Sequence, residues 1–324
     1  MDGPVQKLSE YNSRIMLIPL HSTDRLLITF WCLLSIISVF LHTRLTLWWA
    51  IPIANAAAIL VISWLARTGR SSGSRVMRWM HDWAAFPLVI FTYKELYYLI
   101  RPIHHGRDYD QLLILLDQAL FRVNPTQWLA AFSHPFLTEL LQIAYSLFYA
   151  IFLIIGLELF QSSDHTRFRT FRFTVVYGFL LSYIGYLFLP SVGPRFTLHD
   201  FSKIDADLPG LFVTPALRWF VNIFESIRAG MSNGVAQAAA QRDVFPSGHT
   251  MLTIVAVVLA YRYKLKVRRF LLILGILLIT GTVYLRYHYV VDLLAGAMLG
   301  IFCLLTANRI YRLFGSDTPS PDNS

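Results

Sequence analysis

Apolar segments alternate with short polar connections along almost the whole chain. Eight of these segments approach or reach the roughly 20 residues that a helix needs to cross a hydrocarbon core of about 30 Å. They cover residues 26–42, 46–65, 83–100, 136–159, 173–190, 248–263, 269–285 and 291–309. This pattern predicts an all-α fold, a polytopic membrane bundle of about eight transmembrane helices.

Two longer connections also carry apolar residues at helical spacing. The first, DYDQLLILLDQALFRVNPTQWLAAF, falls within residues 101–135 and predicts one or two helices that lie in the membrane interface. The second, PGLFVTPALRWFVNIFESI, falls within residues 191–246 and predicts an interfacial or re-entrant helix.

The composition is that of a membrane protein and leaves no room for a second soluble domain. Hydrophobic residues make up 56% of the 324 residues, charged residues make up only 15%, and the mean hydropathy is +0.52. The net charge is +9, but the basic residues lie in short loops between apolar segments rather than on one face. We therefore expect a bilayer and no nucleic acid as the partner.

Lys and Arg concentrate in alternate connections, which the positive-inside rule assigns to the cytoplasm. The basic connections are the N-terminal segment, RTGRSSGSRVMR, HTRFRTFR, YRYKLKVRR and the segment after the last span. Both termini are therefore predicted to be cytoplasmic. The remaining connections, which contain the polar motifs described next, are predicted to face a periplasm or an organelle lumen.

The stretch VFPSGHT, residues 244 to 250, lies at the outer end of one predicted span. Ser247 is a typical N-cap and Pro246 suits a first turn, so a helix is predicted to begin here. The free amides of a helix start bind anions, and Gly248 would let a phosphate approach the backbone closely. His249 would lie beside that anion, where an imidazolium can donate a proton. Taken alone, the stretch also fits a capped helix with an interfacial histidine.

The next outer connection, LRYHYVVD, places His288 and Asp292 four residues apart, on one face of a helix start. A carboxylate beside one ring nitrogen fixes the tautomer and leaves the other nitrogen free to attack. Arg286 adds a forked donor for phosphate oxygens. Charged groups at membrane helix ends are costly, so this combination indicates a phosphoryl-transfer site.

PSGH, a span, a basic loop, a second span and HxxxD, in this order, resemble the signature of the type 2 phosphatidic acid phosphatase superfamily. Its members are integral membrane lipid phosphatases and phosphotransferases, and the resemblance mainly covers residues 186–300. It implies that His288 is a nucleophile forming a phosphohistidine, that Asp292 orients it, and that His249 is the general acid. Ser247 and Gly248 would hold phosphate. Neither a metal nor another cofactor is implied.

The chain departs from the usual family pattern in two motifs. The usual third motif has an Arg six residues before the nucleophilic His; that position is Thr282, and Arg286 lies only two residues before His288. The form YLRYHYVVDLLAG, together with LLDQALFRVNPTQWL and PSVGPRF, looks more like the inositol phosphorylceramide synthase-like branch of inositolphosphotransferases.

The family's first motif, KxxxxxxRP, occurs as KELYYLIRP with Lys94 and Arg101. Two predicted spans separate it from PSGH, whereas the motif normally ends the span just before the loop that leads to PSGH. The segment PSVGPRF occupies that place, with Arg195 as its cation. Lys94 with Arg101, and Arg195, therefore both remain candidates for binding the phosphate.

The predicted organisation follows from these motifs. Residues 1–25 form a cytoplasmic tail, 26–135 the N-terminal transmembrane and interfacial helices, 136–311 a phosphatase-type catalytic membrane core, and 312–324 a disordered tail. We expect hydrolysis of a lipid phosphate at the outer membrane face. The alternatives are transfer of a phospho-head group such as phosphoinositol between lipids and, below it, a lipid transporter or scramblase. The sequence leaves the lipid, the acceptor, the membrane and the oligomeric state open.

Overall fold

The computed structural model describes residues 20–162 and 165–315. The predicted tails, residues 1–25 and 312–324, lie largely outside this range. The described chain is helical and forms two compact units: one runs up to Thr92 and resumes at Tyr311, and the other is Tyr93–Ile310. The described part contains helices and turns and no strand, as the sequence predicts.

The first unit contains three helices and the beginning of a fourth. They are α1 Ser22–Phe40, α2 Ala50–Ser71, α3 Arg75–Trp83 and the first residues of α4 Ala85–Ile103. Helix α2 packs against α1 and α3. The buried indole of Trp31 donates to the hydroxyl of Thr92 at 2.8 Å, and the Asn55 amide donates to the Trp31 carbonyl at 3.2 Å, which fixes α1 against its neighbours through polar as well as apolar contacts.

The second unit contains the rest of α4 and all later helices. They are α5 Asp110–Phe121, α6 Pro125–Leu129, α7 Pro135–Ser146, α8 Phe148–Gln161, α9 His165–Phe188, α10 Pro194–Thr197, α11 Ile204–Asp207, α12 Thr214–Phe224, α13 Asn233–Ala239, α14 Gly248–Arg262, α15 Arg268–Tyr284 and α16 Val290–Leu313. Short 3₁₀ turns occupy Ala130–Phe132 and Phe201–Lys203.

A helix lies at each of the eight predicted spans, but eight membrane crossings are not confirmed. In the described residues, α1, α2, α9 and α16 are long and apolar enough to cross a membrane. Helices α7 and α8 become a fifth candidate if the pair, bent by 50°, is one span. Helix α14 has only 15 residues, and α4 carries Lys94, Glu95 and Arg101. Several apolar helices nevertheless indicate a multi-pass membrane protein.

The predicted interfacial segments are helical. Helices α5 and α6 lie within DYDQLLILLDQALFRVNPTQWLAAF, and α12 lies within PGLFVTPALRWFVNIFESI. Helix α12 packs on α7, and the carboxylate of Glu139 in α7 accepts the amides that lead into α12, including Val213 at 2.6 Å and Leu211 at 2.9 Å. This carboxylate therefore fixes the start of α12.

Helices α7, α15, α14 and α9 pack in succession, each on the next, and α8 packs against α9 and α14. The N-terminal end of α14, the connection between α15 and α16, and the segment after α9 are joined by backbone hydrogen bonds. The Arg195 amide donates to the Arg286 carbonyl and the Ser247 amide donates to the Asp292 carbonyl, both at 3.0 Å. These bonds bring the predicted motifs to one end of the bundle.

Candidate active site

Helix α14 begins as the sequence predicts. Ser247 is the N-cap, and its hydroxyl accepts the Thr250 amide at 3.2 Å. Pro246 lies one residue before the cap rather than in the first turn. His249 is therefore in the first turn of the helix, close to amides that have no intrahelical partner.

A glycine allows α16 to approach this helix start closely. A Cβ atom placed on Gly296 would clash with the Ser247 carbonyl oxygen, and one on Gly300 would lie 3.2 Å from the Met251 carbonyl oxygen. The GxxxG pattern in α16 is therefore used for helix packing. This contact sets the distance between the two histidine segments, since Asp292 lies one turn before Gly296 on the same helix.

The segment RYHYVVD joins α15 to α16. The amides of Tyr287 and His288 both donate to the Thr282 carbonyl, at 2.9 and 3.0 Å, and this closes the end of α15. The buried carboxylate of Asp292 accepts the Tyr289 amide at 2.9 Å and lies 3.5 Å from His288 Nδ1. This distance is longer than a good hydrogen bond, and Nδ1 has no hydrogen-bond partner among the described residues. His288 is close to Asp292 but lies two residues before α16 rather than on the predicted helix face.

The rings of His249 and His288 meet edge to face, with centroids 5.6 Å apart and an angle of 64° between their planes. The His249 ring stacks on Tyr145 at 4.6 Å and lies 4.4 Å from Phe148. Burial lowers the pKa of His288, and the neighbouring His249 lowers it further, so the His288 imidazole is neutral.

Arg195 and Arg286 contribute two guanidinium groups to the same end of the bundle. The Arg195 side chain is buried, pairs with Glu225, and lies over the Tyr287 ring at 4.9 Å. Arg286 donates to Asp207 at 2.8 Å, and its Nε is buried without a hydrogen-bond partner among the described residues. Each guanidinium therefore already has a carboxylate partner that a phosphate would have to replace or share.

A family model for the PAP2 superfamily matches residues 111–306 of the chain. The chain belongs to the PAP2 superfamily. Members of this superfamily are phosphatases and phosphotransferases, which gives the general enzyme class. No curated protein and no solved structure matches the chain significantly.

The PAP2 match separates the two sets of candidate phosphate-binding cations. Arg195 lies within the matched residues, whereas Lys94 and Arg101 lie before them. Lys94 donates to the Phe224 carbonyl, and Arg101 is exposed and donates to the Ala238 carbonyl at 3.3 Å. The two cations of KELYYLIRP thus have different surroundings and do not form one clamp.

Two carboxylates that accept backbone amides around the candidate site were not predicted from the sequence. Asp110 in α5 accepts the Gly193 amide at 2.8 Å, the Val192 amide and the Tyr289 hydroxyl. Asp117 accepts the amides of Val290 at 3.0 Å and Val291 at 2.8 Å at the start of α16. Asp110 and Asp117 are seven residues apart and therefore lie on one face of α5. This spacing is the feature of the sequence that could have indicated them.

A cavity of about 70 Å³ adjoins His249. Its wall includes the carboxylates of Glu225 and Asp243, and the Tyr93 hydroxyl donates to Asp243 at 2.7 Å. Burial raises the pKa of both carboxyls, although Arg195 opposes the rise at each. The cavity therefore combines an apolar aromatic wall with acidic groups that a bound cation would favour in their charged form.

Among the described residues, one cluster has ligand atoms close enough for a metal ion, and it belongs to the first unit. It consists of His21, Asp24 and His81. The two imidazoles stack with centroids 4.2 Å apart and an angle of 15°, and His81 Nε2 lies 2.8 Å from the Asp24 carboxylate. Parallel rings direct their lone pairs along parallel lines rather than to a common point, so this arrangement fits a hydrogen-bonded cluster better than a metal site.

Proposed function

We propose that the chain is an integral membrane lipid phosphatase that acts through a phosphohistidine at His288. The observation that carries the proposal is the pairing of His249 with His288, 5.6 Å apart, beside Asp292 and Arg195 within residues matched by the PAP2 model. A nucleophile, its orienting carboxylate, a proton donor and a phosphate-binding cation are the groups that this reaction requires.

In the first step, His288 Nε2 attacks phosphorus. Asp292 lies 3.5 Å from Nδ1. In the reactive state Nδ1–H donates to this carboxylate, and Nε2 gives up the hydrogen bond that the ring makes with the Val244 backbone, so that its lone pair can attack. The N–P bond forms as the P–O bond to the lipid alcohol breaks, and His249 gives its proton to the departing oxygen.

The equatorial oxygens are stabilised by Arg195, Arg286 and the Gly248 amide, whereas the Ser247 amide stays bonded to the Asp292 carbonyl. Arg195 exchanges Glu225 for a phosphate oxygen, while Arg286 can donate its unpaired Nε without leaving Asp207. Buried forked donors of this kind bind phosphate more strongly than exposed ones, because little water competes for them.

In the second step, water attacks the phosphohistidine while His249 takes its proton, and inorganic phosphate leaves. If an alcohol enters in place of water, the product is a phosphodiester, as in the inositol phosphorylceramide synthase-like branch. An alcohol acceptor needs space beside His249, whereas water does not. Because such a cavity is present, phosphotransfer is the second candidate function. We place this reaction at the outer membrane face, with both termini in the cytoplasm.

The test is phosphate release from lipid phosphates by the purified full chain in lipid nanodiscs. The wild type is expected to release phosphate, and His288→Asn is expected to lose nearly all release. His105→Asn is the matched control, since His105 is exposed and has a φ of 54°, which Asn tolerates. Lipid transport without phosphate release, unaffected by His288→Asn, would overturn the proposal in favour of a transporter.

A further inference from the structure

The cavity beside His249 lies on the side of the proposed proton donor. Gly248 and His249 belong to its wall, whereas His288 is not among the residues that line it. In an in-line displacement, the proton donor contacts the oxygen of the departing or entering alcohol, opposite the nucleophile. The cavity is therefore in the right place to hold the part of that alcohol that is nearest to phosphorus.

The wall of this cavity is aromatic and acidic. Five tyrosines line it: Tyr93, Tyr145, Tyr149, Tyr183 and Tyr186. Four phenylalanines and the carboxylates of Glu225 and Asp243 complete most of the remaining surface. Arg195 and Lys94 influence these carboxylates electrostatically but do not line the cavity. An occupant therefore meets ring faces and negative groups.

This combination of groups selects among possible occupants. An acyl chain would make no polar contact with Glu225 or Asp243, whose present partners are Arg195 and the Tyr93 hydroxyl, and would exclude water from both carboxylates at a cost. A second phosphate would be repelled by them. A volume of about 70 Å³ holds several waters, but water gains nothing from the surrounding ring faces. Ring faces and carboxylates both attract a cation, and an ammonium group is the cation that an alcohol can carry.

We propose that this cavity binds an ammonium group carried by the alcohol whose oxygen is bonded to the transferred phosphorus. The inference rests on the proposed function. The N–P bond to His288 forms, the P–O bond to the amino alcohol breaks, and that oxygen takes the proton of His249. The ammonium group stays protonated throughout and serves only in binding.

The buried pair of Arg195 and Glu225 matches such a ligand in charge. When phosphate takes Arg195, Glu225 loses its guanidinium partner. An ammonium group on the same ligand restores a partner to Glu225 and adds one to Asp243. A phosphate without an ammonium group would leave a buried carboxylate unpaired, which disfavours its binding.

The ammonium could belong to a lipid amino alcohol or to a small head group, and two matched pairs of substrates distinguish these sources. The first pair is a long-chain 2-aminoalkyl phosphate and the alkyl phosphate of equal length. The second pair is a phospholipid with a 2-aminoethyl head group and its 2-hydroxyethyl analogue. A phosphoinositol lipid is included as the polyol comparison.

The purified full chain in nanodiscs is assayed for kcat/KM with each substrate. We expect the amine to be preferred by about 10- to 100-fold in one pair, which identifies the source. Asp243→Asn, which retains an acceptor for the Tyr93 hydroxyl, should remove this preference. Tyr149→Leu should reduce the preference about 2- to 5-fold. Asp205→Asn, at a carboxylate with 76% exposure outside the cavity, should retain it.

Equal kcat/KM within both pairs would overturn the inference while phosphate release still supported the proposed function. Faster turnover of the phosphoinositol lipid than of either amine would also overturn it, in favour of a polyol subsite. Retention of the amine preference by both Asp243→Asn and Tyr149→Leu would exclude this cavity as its origin. No product from any substrate, together with no phosphate bound to the protein, would overturn the proposed function and the inference with it.

Discussion

His249 and His288 lie 5.6 Å apart, yet the protein holds them in different ways. His249 is in the first turn of α14 and packs against the rings of Tyr145 and Phe148. His288 lies between two helices; its amide is bound to the Thr282 carbonyl, and its ring lies beside the carboxylate of Asp292. One ring is packed against aromatic side chains, and the other is oriented by polar groups.

This difference supports the roles that we propose for the two histidines. A carboxylate next to Nδ1 fixes one tautomer and aims Nε2, as a nucleophile requires. Aromatic packing holds a ring in place without binding either of its nitrogens, as a group that gives and takes a proton requires. The family resemblance implies the same assignment, so the geometry and the resemblance support each other.

The largest predicted effect tests whether the two histidines differ in role. With alkyl phosphates, His288→Asn should reduce kcat/KM by at least about 10³-fold, and His249→Asn by about 10²- to 10⁴-fold. With p-nitrophenyl phosphate, whose leaving group needs no proton, His249→Asn should recover most of its kcat/KM, which reports the first step, and His288→Asn should not. Steady-state kinetics with both substrates makes this measurement. If the change of substrate affected both variants equally, the two histidines would not differ in role.

A smaller effect tests which cation binds the phosphate. Arg195→Lys keeps the charge but removes the paired N–H donors of the guanidinium, and we expect kcat/KM to fall about 10- to 100-fold. Arg101→Lys should change it by less than about twofold, because Arg101 is exposed and lies outside the residues matched by the family model. The same assay serves both variants, and a larger loss at Arg101 than at Arg195 would restore KELYYLIRP as the phosphate-binding motif.

The closeness of the two histidine segments depends on Gly296. Gly296→Ala should lower the free energy of unfolding by about 1 to 3 kcal/mol and reduce kcat, because the added methyl group pushes α16 away from the Ser247 carbonyl. Gly234→Ala is the control, since a Cβ there meets no atom within 4 Å. Thermal unfolding in detergent and phosphate release are measured together. Unchanged values for Gly296→Ala would contradict the packing argument.

The smallest effect concerns the polar support of His288. Asp117→Asn replaces a charged acceptor of the Val290 and Val291 amides by a neutral one, and kcat should fall about 3- to 10-fold. The KM should change little, since Asp117 acts on the start of α16 and not on the lipid. Kinetics of the purified variant over a range of lipid concentrations separate the two constants. A change confined to KM would indicate a different role for Asp117.

The sequence predicted the position of the site because its motifs follow local rules. Ser247 caps a helix where a capping residue is expected, and Asp292, in the first turn of α16, lies 3.5 Å from His288, which is two residues before that helix. The helix pattern also located all eight predicted segments, although only four or five pass as membrane spans by length and composition.

The partners of these motifs could not be predicted, because they are distant in the chain. Asp110 contacts Gly193 across 83 positions, and Glu225 pairs with Arg195 across 30. Neither distance has a periodicity that a single sequence reveals. The aromatic wall beside His249 likewise combines residues of several helices, from Tyr93 in α4 to Tyr186 in α9.

The most direct test of the account traps the covalent intermediate. The purified full chain is mixed with a lipid phosphate that carries radioactive phosphorus, quenched in alkali within one turnover, and digested for peptide mapping. The account predicts acid-labile, base-stable label on the peptide that contains His288, and none in His288→Asn. Label on any other residue, or phosphate release by His288→Asn at the wild-type rate, would contradict it.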